Sequence, residues 1–467
     1  MLKKKTHIHF VGIGGIGMSG IAKVLAHQGY KISGCDANVD QKSVRDLRAL
    51  GCAVHEGNNH PLCDDQAIST VVYTSDVQNL STGIKHPELL RAQERGIPLV
   101  PRGVMLGELS RTKYTITVAG SHGKTTTTSL LSHIFMEAQT DPTILVGGHL
   151  QSISSNARYG AGEFLIAESD ESDRSLLHLY PTLAILTNID REHLNTYRNV
   201  HDLAETFRLF LEKIPFYGKA FVCVDDPYIR SLLPLAKAPY ATYGTSPEAE
   251  WAYTDATLEA DKSHYTVLHH GKELGKITVR MPGKHNILNS LAALAASLEA
   301  GLSFDVIAQA LATFDGVDRR FTLKGIFQGA EVFDDYGHHP TEIQCTAAVA
   351  RKRAKNKVIL LFQPHRYSRL STLWKDFADM LAALPVDELL VTDIYAASEQ
   401  PVPGLTGERL ALLAKSINPH APITYLPLDQ DFSSLRAYLS LKAQEGDVIL
   451  LQGAGNINKI ASFLTQK

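Results

Sequence analysis

A strand, a glycine-containing loop and a helix follow one another between Tyr114 and Phe135, in the sequence YTITVAGSHGKTTTTSLLSHIF. The β-branched residues before the loop favour an extended, half-buried backbone, and the apolar residues after it recur at helical spacing. Glycines let backbone N–H groups close on phosphate oxygens, and a helix N-terminus adds partial positive charge there. Lys124 would bring a full charge to the β- and γ-phosphates, and Thr125 would offer a hydroxyl to Mg²⁺. The stretch predicts a nucleoside-triphosphate site, with Lys124 as an exposed loop lysine.

This loop departs from the strict pattern G-x-x-x-x-G-K-[ST] at Val118, where that pattern has glycine, and Ser121 also differs from stricter loops. The alternative is a strand–turn–helix unit in which Lys-Thr follows glycine by chance. The order of the flanking elements favours the phosphate site. Its predicted contacts are Gly120, Ser121, His122, Gly123, Lys124, Thr125 and Thr126.

Length and composition indicate several domains and a reducing compartment. At 467 residues the chain suggests about three domains. The net charge of −3 gives no bulk attraction to nucleic acid or anionic membranes, and no apolar run approaches the about 20 residues of a membrane span. The cysteines form no C-x-x-C pair, which favours reduced thiols in a cytoplasmic protein over a disulfide framework. They are Cys35, Cys52, Cys63, Cys223 and Cys345.

The N-terminal segment has a G-x-G-x-x-G loop between a predicted strand, His7–Val11, and a predicted helix, Met18–Gln28. Further strands at Thr70–Thr74 and Pro98–Val100 make this a Rossmann-like unit. The loop allows three interpretations: a dinucleotide site in a dehydrogenase, a tight turn without ligand, or a site for another nucleotide diphosphate. The motif alone does not choose among them. The candidate contacts are Gly12, Gly14, Gly15, Gly17 and Asp36, the last near a ribose hydroxyl.

Two further predicted strands end in polar residues beside the phosphate loop. Glu163–Ala167 runs into Glu168, and Thr182–Thr187 runs toward His193. The carboxyl edge of a parallel sheet is where such folds bind ligands, and a carboxylate there can hold the Mg²⁺ of ATP. His193 would ligate a second metal or contact a phosphoryl group. The alternatives are a solvated acidic loop and a hydrogen-bonded surface histidine.

Later in the chain, Asn286 and Asn289 share one face at the start of an alanine-rich helix. They would either cap that helix or contact a base or phosphates. The last segment alternates strands and helices in a second parallel layout. Its predicted strands are Ala330–Asp334, Val358–Phe362, Glu388–Thr392 and Asp447–Leu451, and polar clusters follow three of them.

Seven stretches occur in an order typical of one family: HIHFVGIGGIGMSGIA, AGSHGKTTTT, AESDESDRSLLHL, TNIDREHLNTY, PGKHNILN, GVDRRF and DDYGHHPTEI. Through them the chain resembles the Mur ligases of peptidoglycan synthesis nearly end to end. The resemblance implies three α/β domains: a Rossmann-like UDP-sugar domain at 1–108, a central P-loop ATPase domain at 109–316 and a Rossmann-like amino-acid domain at 317–467. It also implies that ATP phosphorylates the lactyl carboxylate of UDP-N-acetylmuramate. By the same resemblance, the amino group of L-alanine would then attack the acyl phosphate.

The resemblance also implies roles for individual residues. The glycine loop at Gly12 would hold UDP. The catalytic groups would be Lys124, Glu168 and His193, and the metal ligands Thr125, Glu168 and His193. The ATP site would gain His285, Asn286, Asn289, Arg320 and Asp335, and the amino-acid site would hold Tyr336, His338, Arg366 and Arg369.

Three alternatives remain at this point: a relative that attaches a recycled murein peptide, a nicotinamide-dependent oxidoreductase and a non-catalytic nucleotide-binding regulator. Ligases for later amino acids hold metal with a carbamylated lysine. Here the predicted helix Leu203–Leu211 contains no lysine, and Lys213 lies beyond the end of that helix. We therefore do not expect a carbamylated lysine. We expect a monomer or weak homo-oligomer.

Overall fold

The computed structural model describes residues 6–57, 65–74, 78–79, 83–84, 86–150, 153, 155–193, 196–397, 399–429 and 431–465. Within these ranges the strands form three large sheets and one two-stranded ribbon. None of the helices in the described ranges is both long enough and apolar enough to cross a bilayer.

The N-terminal sheet is parallel. Its strands are β1 (His7–Val11), β2 (Lys31–Asp36), β3 (Ala53–Glu56), β4 (Ile68–Tyr73) and β7 (Leu99–Pro101), and β5 (Gln78–Asn79) and β6 (Gly83–Ile84) form the ribbon. Its helices are α1 (Ile16–His27), α2 (Lys42–Ala49), α3 (Pro87–Glu94) and α4 (Arg102–Ser110). The order β3-β2-β1-β4-β7 places β1 in the middle, with the glycine loop at its carboxyl end.

The strand predicted at His7–Val11 is confirmed, but the next helix begins at Ile16 instead of Met18. Gly17 therefore lies inside α1. A Cβ atom there would come within 3.2 Å of Nη1 of Arg102, so this glycine allows close packing against α4.

The central sheet holds the phosphate loop. Its strands are β8 (Tyr114–Ala119), β9 (Thr143–Leu150), β10 (Ser155–Arg158), β11 (Phe164–Glu168), β12 (Leu183–Leu186), β13 (Lys219–Cys223), β14 (Tyr240–Tyr243), β15 (Trp251–Leu258), β16 (Ser263–His269) and β17 (Lys272–Val279). Its helices are α5 (Lys124–Glu137), α6 (Val200–Leu211), α7 (Pro227–Leu232), α8 (Lys284–Glu299) and α9 (Phe304–Thr313). β8 pairs in parallel with β11 on one side and β12 on the other. The polar ends of these three strands therefore meet at one edge, as predicted.

The C-terminal sheet has the order β18-β19-β23-β20-β21-β22. These strands are β18 (Thr322–Phe327), β19 (Ala330–Asp335), β20 (Val358–Phe362), β21 (Glu388–Val391), β22 (Ile423–Tyr425) and β23 (Val448–Gln452). The helices are α10 (Pro340–Arg353), α11 (Tyr367–Thr372), α12 (Trp374–Ala383), α13 (Gly407–Ile417), α14 (Ser433–Lys442) and α15 (Lys459–Thr465). The parallel layout is as predicted, except that β18 joins β19 antiparallel. Apolar clusters cover both faces of this sheet.

Candidate functional site

The phosphate loop joins β8 to α5 and needs glycine at two positions. Gly120 has φ +126° and Gly123 has φ +81°, which favour glycine. A Cβ on Gly120 would lie 2.1 Å from Oγ1 of Thr187, and one on Gly123 would lie 2.7 Å from Oδ1 of Asn289. The loop is thus held closely between β12 and α8.

Lys124 is the first residue of α5, and its ammonium turns back over the loop. Nζ donates to the carbonyl oxygens of Gly120 and Ser121 at 2.6 and 3.0 Å, and to Oε1 of Glu171 at 2.7 Å. Burial opposes the charge, but Glu171 and Glu192 outweigh it and raise the pKa of Lys124. The expectation of an exposed loop lysine is wrong. The side chain is 15% exposed and its partner carboxylate 1%, because α5 packs beside the acidic loop after β11.

Thr125 and Glu168 place two oxygen donors side by side. Oγ1 of Thr125 donates to Oε1 of Glu168 at 3.0 Å, and the N–H of Gly147 donates to Oε2 at 2.8 Å. Burial raises the pKa of the Glu168 carboxyl, while Lys124 acts in the opposite direction. A hydroxyl and a carboxylate beside a phosphate loop are ligands suited to Mg²⁺.

His193 lies beside the same acidic loop, in a left-handed backbone conformation with φ +53°. Its Nε2 is 3.4 Å from Oε1 of Glu171 and 3.7 Å from Oε2 of Glu192. One ligand atom from each of these three residues lies within 4.8 Å of the others. Glu171 therefore connects Lys124 to His193, and the trio offers donors for a second cation.

His122, in the phosphate loop, contacts both the loop after β12 and helix α10 of the C-terminal segment. Nε2 lies 2.9 Å from Oδ2 of Asp190, and Nδ1 lies 3.5 Å from Oε1 of Glu342. Thr341 donates to the same Asp190 oxygen at 2.7 Å, and Arg320 approaches Glu342 at 3.6 Å. Burial opposes the imidazolium, but the hydrogen bonds to Asp190 and Glu342 prevail and raise the pKa of His122 to about 10. A charged network thus joins the central segment of the chain to the C-terminal segment.

A cavity of about 420 Å³ opens between the central and C-terminal sheets. This volume lies in the range that encloses a small organic ligand. Eight predicted ATP contacts line it: His122, Gly123, Thr126, His285, Asn286, Asn289, Arg320 and Asp335. Residues that were not predicted include Asn188, Asp226, Tyr228 and Cys345.

The capping alternative for Asn286 and Asn289 is wrong. Gly283 occupies the N-cap of α8, where no side-chain cap forms. Asn286 instead donates to the carbonyl oxygen of Pro282 at 2.7 Å, and Asn289 donates to Oδ1 of Asn286 at 3.4 Å. Both amides face the cavity.

The predicted amino-acid residues follow β19 and β20. Nδ1 of His338 is 3.1 Å from the carbonyl oxygen of Tyr336, and the guanidinium carbons of Arg319 and Arg320 lie 4.8 and 5.6 Å from the centre of the Tyr336 ring. Burial, reinforced by Arg369, lowers the pKa of His338 to about 4. This imidazole is therefore neutral near pH 7.

The two predicted arginines differ in position. Arg369 reaches the loop after β12, with Nε 3.9 Å from Oε1 of Glu192, and its Nη1 lies 3.1 Å from Nδ1 of His365. Arg366 is exposed at the N-cap of α11. Glu192 thus lies between His193 on the phosphate side and Arg369 on the other. Its buried carboxylate keeps a pKa of about 2, because nearby imidazoles, His122 first, outweigh the effect of burial.

The N-terminal glycine loop is held by hydrogen bonds to β2. The N–H of Gly12 donates to the carbonyl oxygen of Cys35 at 2.9 Å, and the N–H of Gly14 donates to Oδ2 of Asp36 at 2.8 Å. Gly15 is the N-cap of α1. Asp36 therefore contacts the loop itself, and its contact with a ribose stays a prediction.

Arg102 connects this loop to the central sheet. It packs over Gly17, and its Nη2 donates to Asp170 at 2.9 Å and to Asp173 at 3.3 Å. Both aspartates belong to the acidic run after β11. The two candidate ligand loops are thus linked through one partly buried guanidinium.

Several residues that build the site escaped prediction. Some had a signal, because Glu171, Asp190 and Glu192 stand inside acidic runs, and Glu342 is three residues after His339 in a capping box. The role of Arg102 comes only from tertiary packing. The residues missed are Arg102, Glu171, Asp190, Glu192 and Glu342.

Comparisons with known proteins cover the whole chain. Residues 7–114 match the model of the Mur ligase family, catalytic domain, residues 118–297 the Mur ligase middle domain, and residues 319–455 the Mur ligase, glutamate ligase domain. A UDP-N-acetylmuramate–L-alanine ligase from Syntrophus aciditrophicus (strain SB) is 43% identical over 467 residues, covering 100% of this chain and 94% of the relative.

Solved structures agree with these matches. The UDP-N-acetylmuramate–alanine ligase of Thermotoga maritima superposes with a TM-score of 0.79 at 26% identity, covering 98% of each chain. A murein peptide ligase from Psychrobacter arcticus, at 23% identity and a TM-score of 0.70 over 98% of each chain, shares the fold. The predicted three-domain α/β class and the predicted ligase class are confirmed. The chain belongs to the Mur ligase family of ATP-dependent ligases.

Proposed function

We propose that this chain joins L-alanine to the lactyl carboxylate of UDP-N-acetylmuramate at the expense of ATP, through an acyl phosphate. The observation that carries the proposal is the position of Glu192, between the phosphate-side His193 and the C-terminal Arg369. One carboxylate thus connects the two sites that successive steps need. The full-length relative that bears the name of this activity supports the choice of alanine.

In the first step, the lactyl carboxylate attacks the γ-phosphorus and ADP leaves. Two anions meet, so positive groups must offset their repulsion in a site with little water. Lys124 supplies one such charge. Thr125, Glu168 and His193 are the residues that would hold Mg²⁺, which supplies charge neutralisation on the phosphates when bound. The lining amides of Asn286 and Asn289 would orient the nucleotide.

In the second step, the amine of alanine attacks the acyl carbon and phosphate leaves. The ammonium group must first lose a proton to solvent, and a neutral His338 would leave the amino-acid site without an extra positive charge to repel that group. Arg366 and Arg369 would pair with the alanine carboxylate through paired N–H donors. Contacts from His122 to Asp190 and Glu342 keep the two sheets together, and such closure excludes water from the acyl phosphate.

The domains would divide this work. Residues 1–108 would bind UDP-N-acetylmuramate, with Gly12, Gly14, Gly15, Gly17 and Asp36 near the diphosphate or ribose. Residues 109–316 would bind ATP, and residues 317–467 the amino acid. Arg102 links the N-terminal domain to the central domain through Asp170, so binding of a UDP-sugar would affect the position of the acidic loop after β11.

A coupled assay of ADP release tests the proposal. We expect steady release only when ATP, UDP-N-acetylmuramate and L-alanine are all present. Replacing L-alanine with a murein tripeptide should leave the rate at background, and faster release with the peptide would favour the recycling ligase instead. In thermal-shift titrations UDP-N-acetylmuramate should stabilise the chain and NAD should not. Stabilisation by NAD alone would overturn the assignment of the glycine loop.

A further inference from the structure

A buried cluster in the N-terminal sheet lies outside the site described above. His9 on β1, Cys35 on β2 and Glu88 in the first turn of α3 each offer one ligand atom, and the three atoms lie within 4.8 Å of one another. Oε2 of Glu88 is 3.1 Å from Nε2 of His9 and 2.9 Å from Sγ of Cys35. The residues are 1%, 1% and 3% exposed. An imidazole, a thiol and a carboxylate, all of which can bind metals, thus lie together in the interior.

The orientation of His9 is fixed by a relay of polar groups. Its Nδ1 lies 2.8 Å from Oγ of Ser33, which lies 2.8 Å from Nε2 of His7. Nδ1 of His7 is in turn 3.3 Å from Oδ2 of Asp65. With an ion at the cluster, one consistent arrangement has His9 Nδ1–H donating to the serine and the serine hydroxyl donating to His7; without the ion, His9 Nε2–H donates to Oε2 of Glu88 instead. The first tautomer leaves a lone pair on His9 Nε2, directed at the cluster, as in metal sites where an outer group orients the ligand.

We propose that His9, Cys35 and Glu88 bind a divalent ion of the zinc class. Thiolate and imidazole ligands select Zn²⁺ over Mg²⁺, and zinc sites with three protein ligands accept a fourth from outside the set. On binding, the Cys35 thiol loses its proton to solvent, the sulfur bonds to the ion, and the Glu88 carboxylate and the His9 lone pair complete the set. No electron is transferred.

The ion would stabilise the glycine loop. The carbonyl oxygen of Cys35 accepts the N–H groups of Gly12 and Ile13 at 2.9 and 3.0 Å, so fixing Cys35 also fixes the start of the loop. Glu88 joins α3 to the same point. The ion would therefore act on the conformation of the glycine loop, and it is distinct from the cations proposed beside the phosphate loop.

Cobalt binding to the reduced, metal-stripped full chain tests this site. We expect a thiolate-to-cobalt absorption band that saturates near about one equivalent of Co²⁺, and competition by Zn²⁺ but not Mg²⁺. Cys35→Ser should abolish the band. Ser33→Ala should weaken Co²⁺ binding by about 10-fold or more, because it releases His9 from its orienting partner. Cys52→Ser, Cys223→Ser and Cys345→Ser are the matched controls and should keep the band.

The absence of the band in the wild-type chain would overturn the proposal, and so would its survival in Cys35→Ser. Far-UV circular dichroism shows whether each variant folds. If Cys35→Ser does not fold, Glu88→Gln decides in its place, and wild-type Co²⁺ affinity in both Glu88→Gln and Ser33→Ala would equally overturn the site. None of these measurements depends on ligase activity, so their failure is separate from failure of the proposed function.

Discussion

Nζ of Lys124 lies 2.7 Å from Oε1 of Glu171, a carboxylate that is almost fully buried. The same oxygen is 3.4 Å from Nε2 of His193. The ammonium that we propose binds phosphate therefore has a resident counter-ion, and an incoming phosphate would have to compete with it. Removing the lysine affects catalysis and folding together, because it leaves a carboxylate in the interior without its cation.

Lys124→Ala should lower turnover by about 10²-fold or more, the scale of losing one preorganised charge at a transition state. It should also lower the free energy of unfolding by about 3–5 kcal/mol, since Glu171 loses its buried partner. ADP release and urea unfolding measure the two effects. The double variant Lys124→Ala/Glu171→Gln should recover much of the stability and none of the turnover. Near-normal turnover in a folded Lys124→Ala chain would exclude the phosphate-binding role.

The sequence was informative where structure depends on local order. The strands at His7–Val11 and Val358–Phe362 begin and end at the predicted residues. The first ends at the glycine loop, and the second is an apolar run between polar residues. The predicted order of strand, loop and helix between Tyr114 and Phe135 is also confirmed. These features could be predicted because they depend only on residues that are close together in the sequence.

Long-range contacts could not be predicted in the same way. The burial of Lys124 depends on Glu171, 47 residues away, and the contact between Thr341 and Asp190 spans 151 residues. The antiparallel extension β15–β17 was also missed. β15 carries a run of exposed positions, so it lacks the buried, alternating pattern by which a strand is recognised.

Stability should fall at alkaline pH through His122. Its folded pKa of about 10 lies above the ordinary value of 6.5, so the folded chain holds this proton more tightly. The resulting stabilisation is complete below about pH 6.5 and is lost as pH rises toward about 10. Urea unfolding across this range should show a smaller decline in His122→Gln than in the wild-type chain. The control His420→Gln, at an exposed position, should follow the wild type. Parallel profiles for wild type and His122→Gln would contradict the charged bridge to Asp190 and Glu342.

The cavity should accept the nucleoside part of ATP, and a larger side chain placed in the cavity should weaken ATP binding. Cys345 lines the cavity on α10, so Cys345→Trp should raise the KM for ATP by about 10-fold or more, the effect of 1–3 kcal/mol of overpacking. The KM for UDP-N-acetylmuramate should hardly change. Gln344→Trp is the matched control, since Gln344 precedes Cys345 on the same helix and its side chain is exposed. Equal effects of the two variants on ATP would place the nucleotide elsewhere.

The C-terminal arginines should act on the amino acid and not on phosphoryl transfer. Arg366→Ala and Arg369→Ala remove planar donors suited to the alanine carboxylate, and losing the partner of a desolvated charge costs a few kcal/mol, so the KM for alanine should rise by about 10-fold or more. The KM values for ATP and UDP-N-acetylmuramate should barely move. Isotope scrambling within ATP, driven by UDP-N-acetylmuramate, should persist, because the acyl phosphate forms before the amine reacts. Arg369 also approaches Glu192, so Arg369→Lys, which keeps the charge, should retain scrambling and lose mainly alanine affinity. If both alanine variants keep the wild-type KM for alanine and lose affinity for ATP, the assignment of this cluster to the amino acid is wrong.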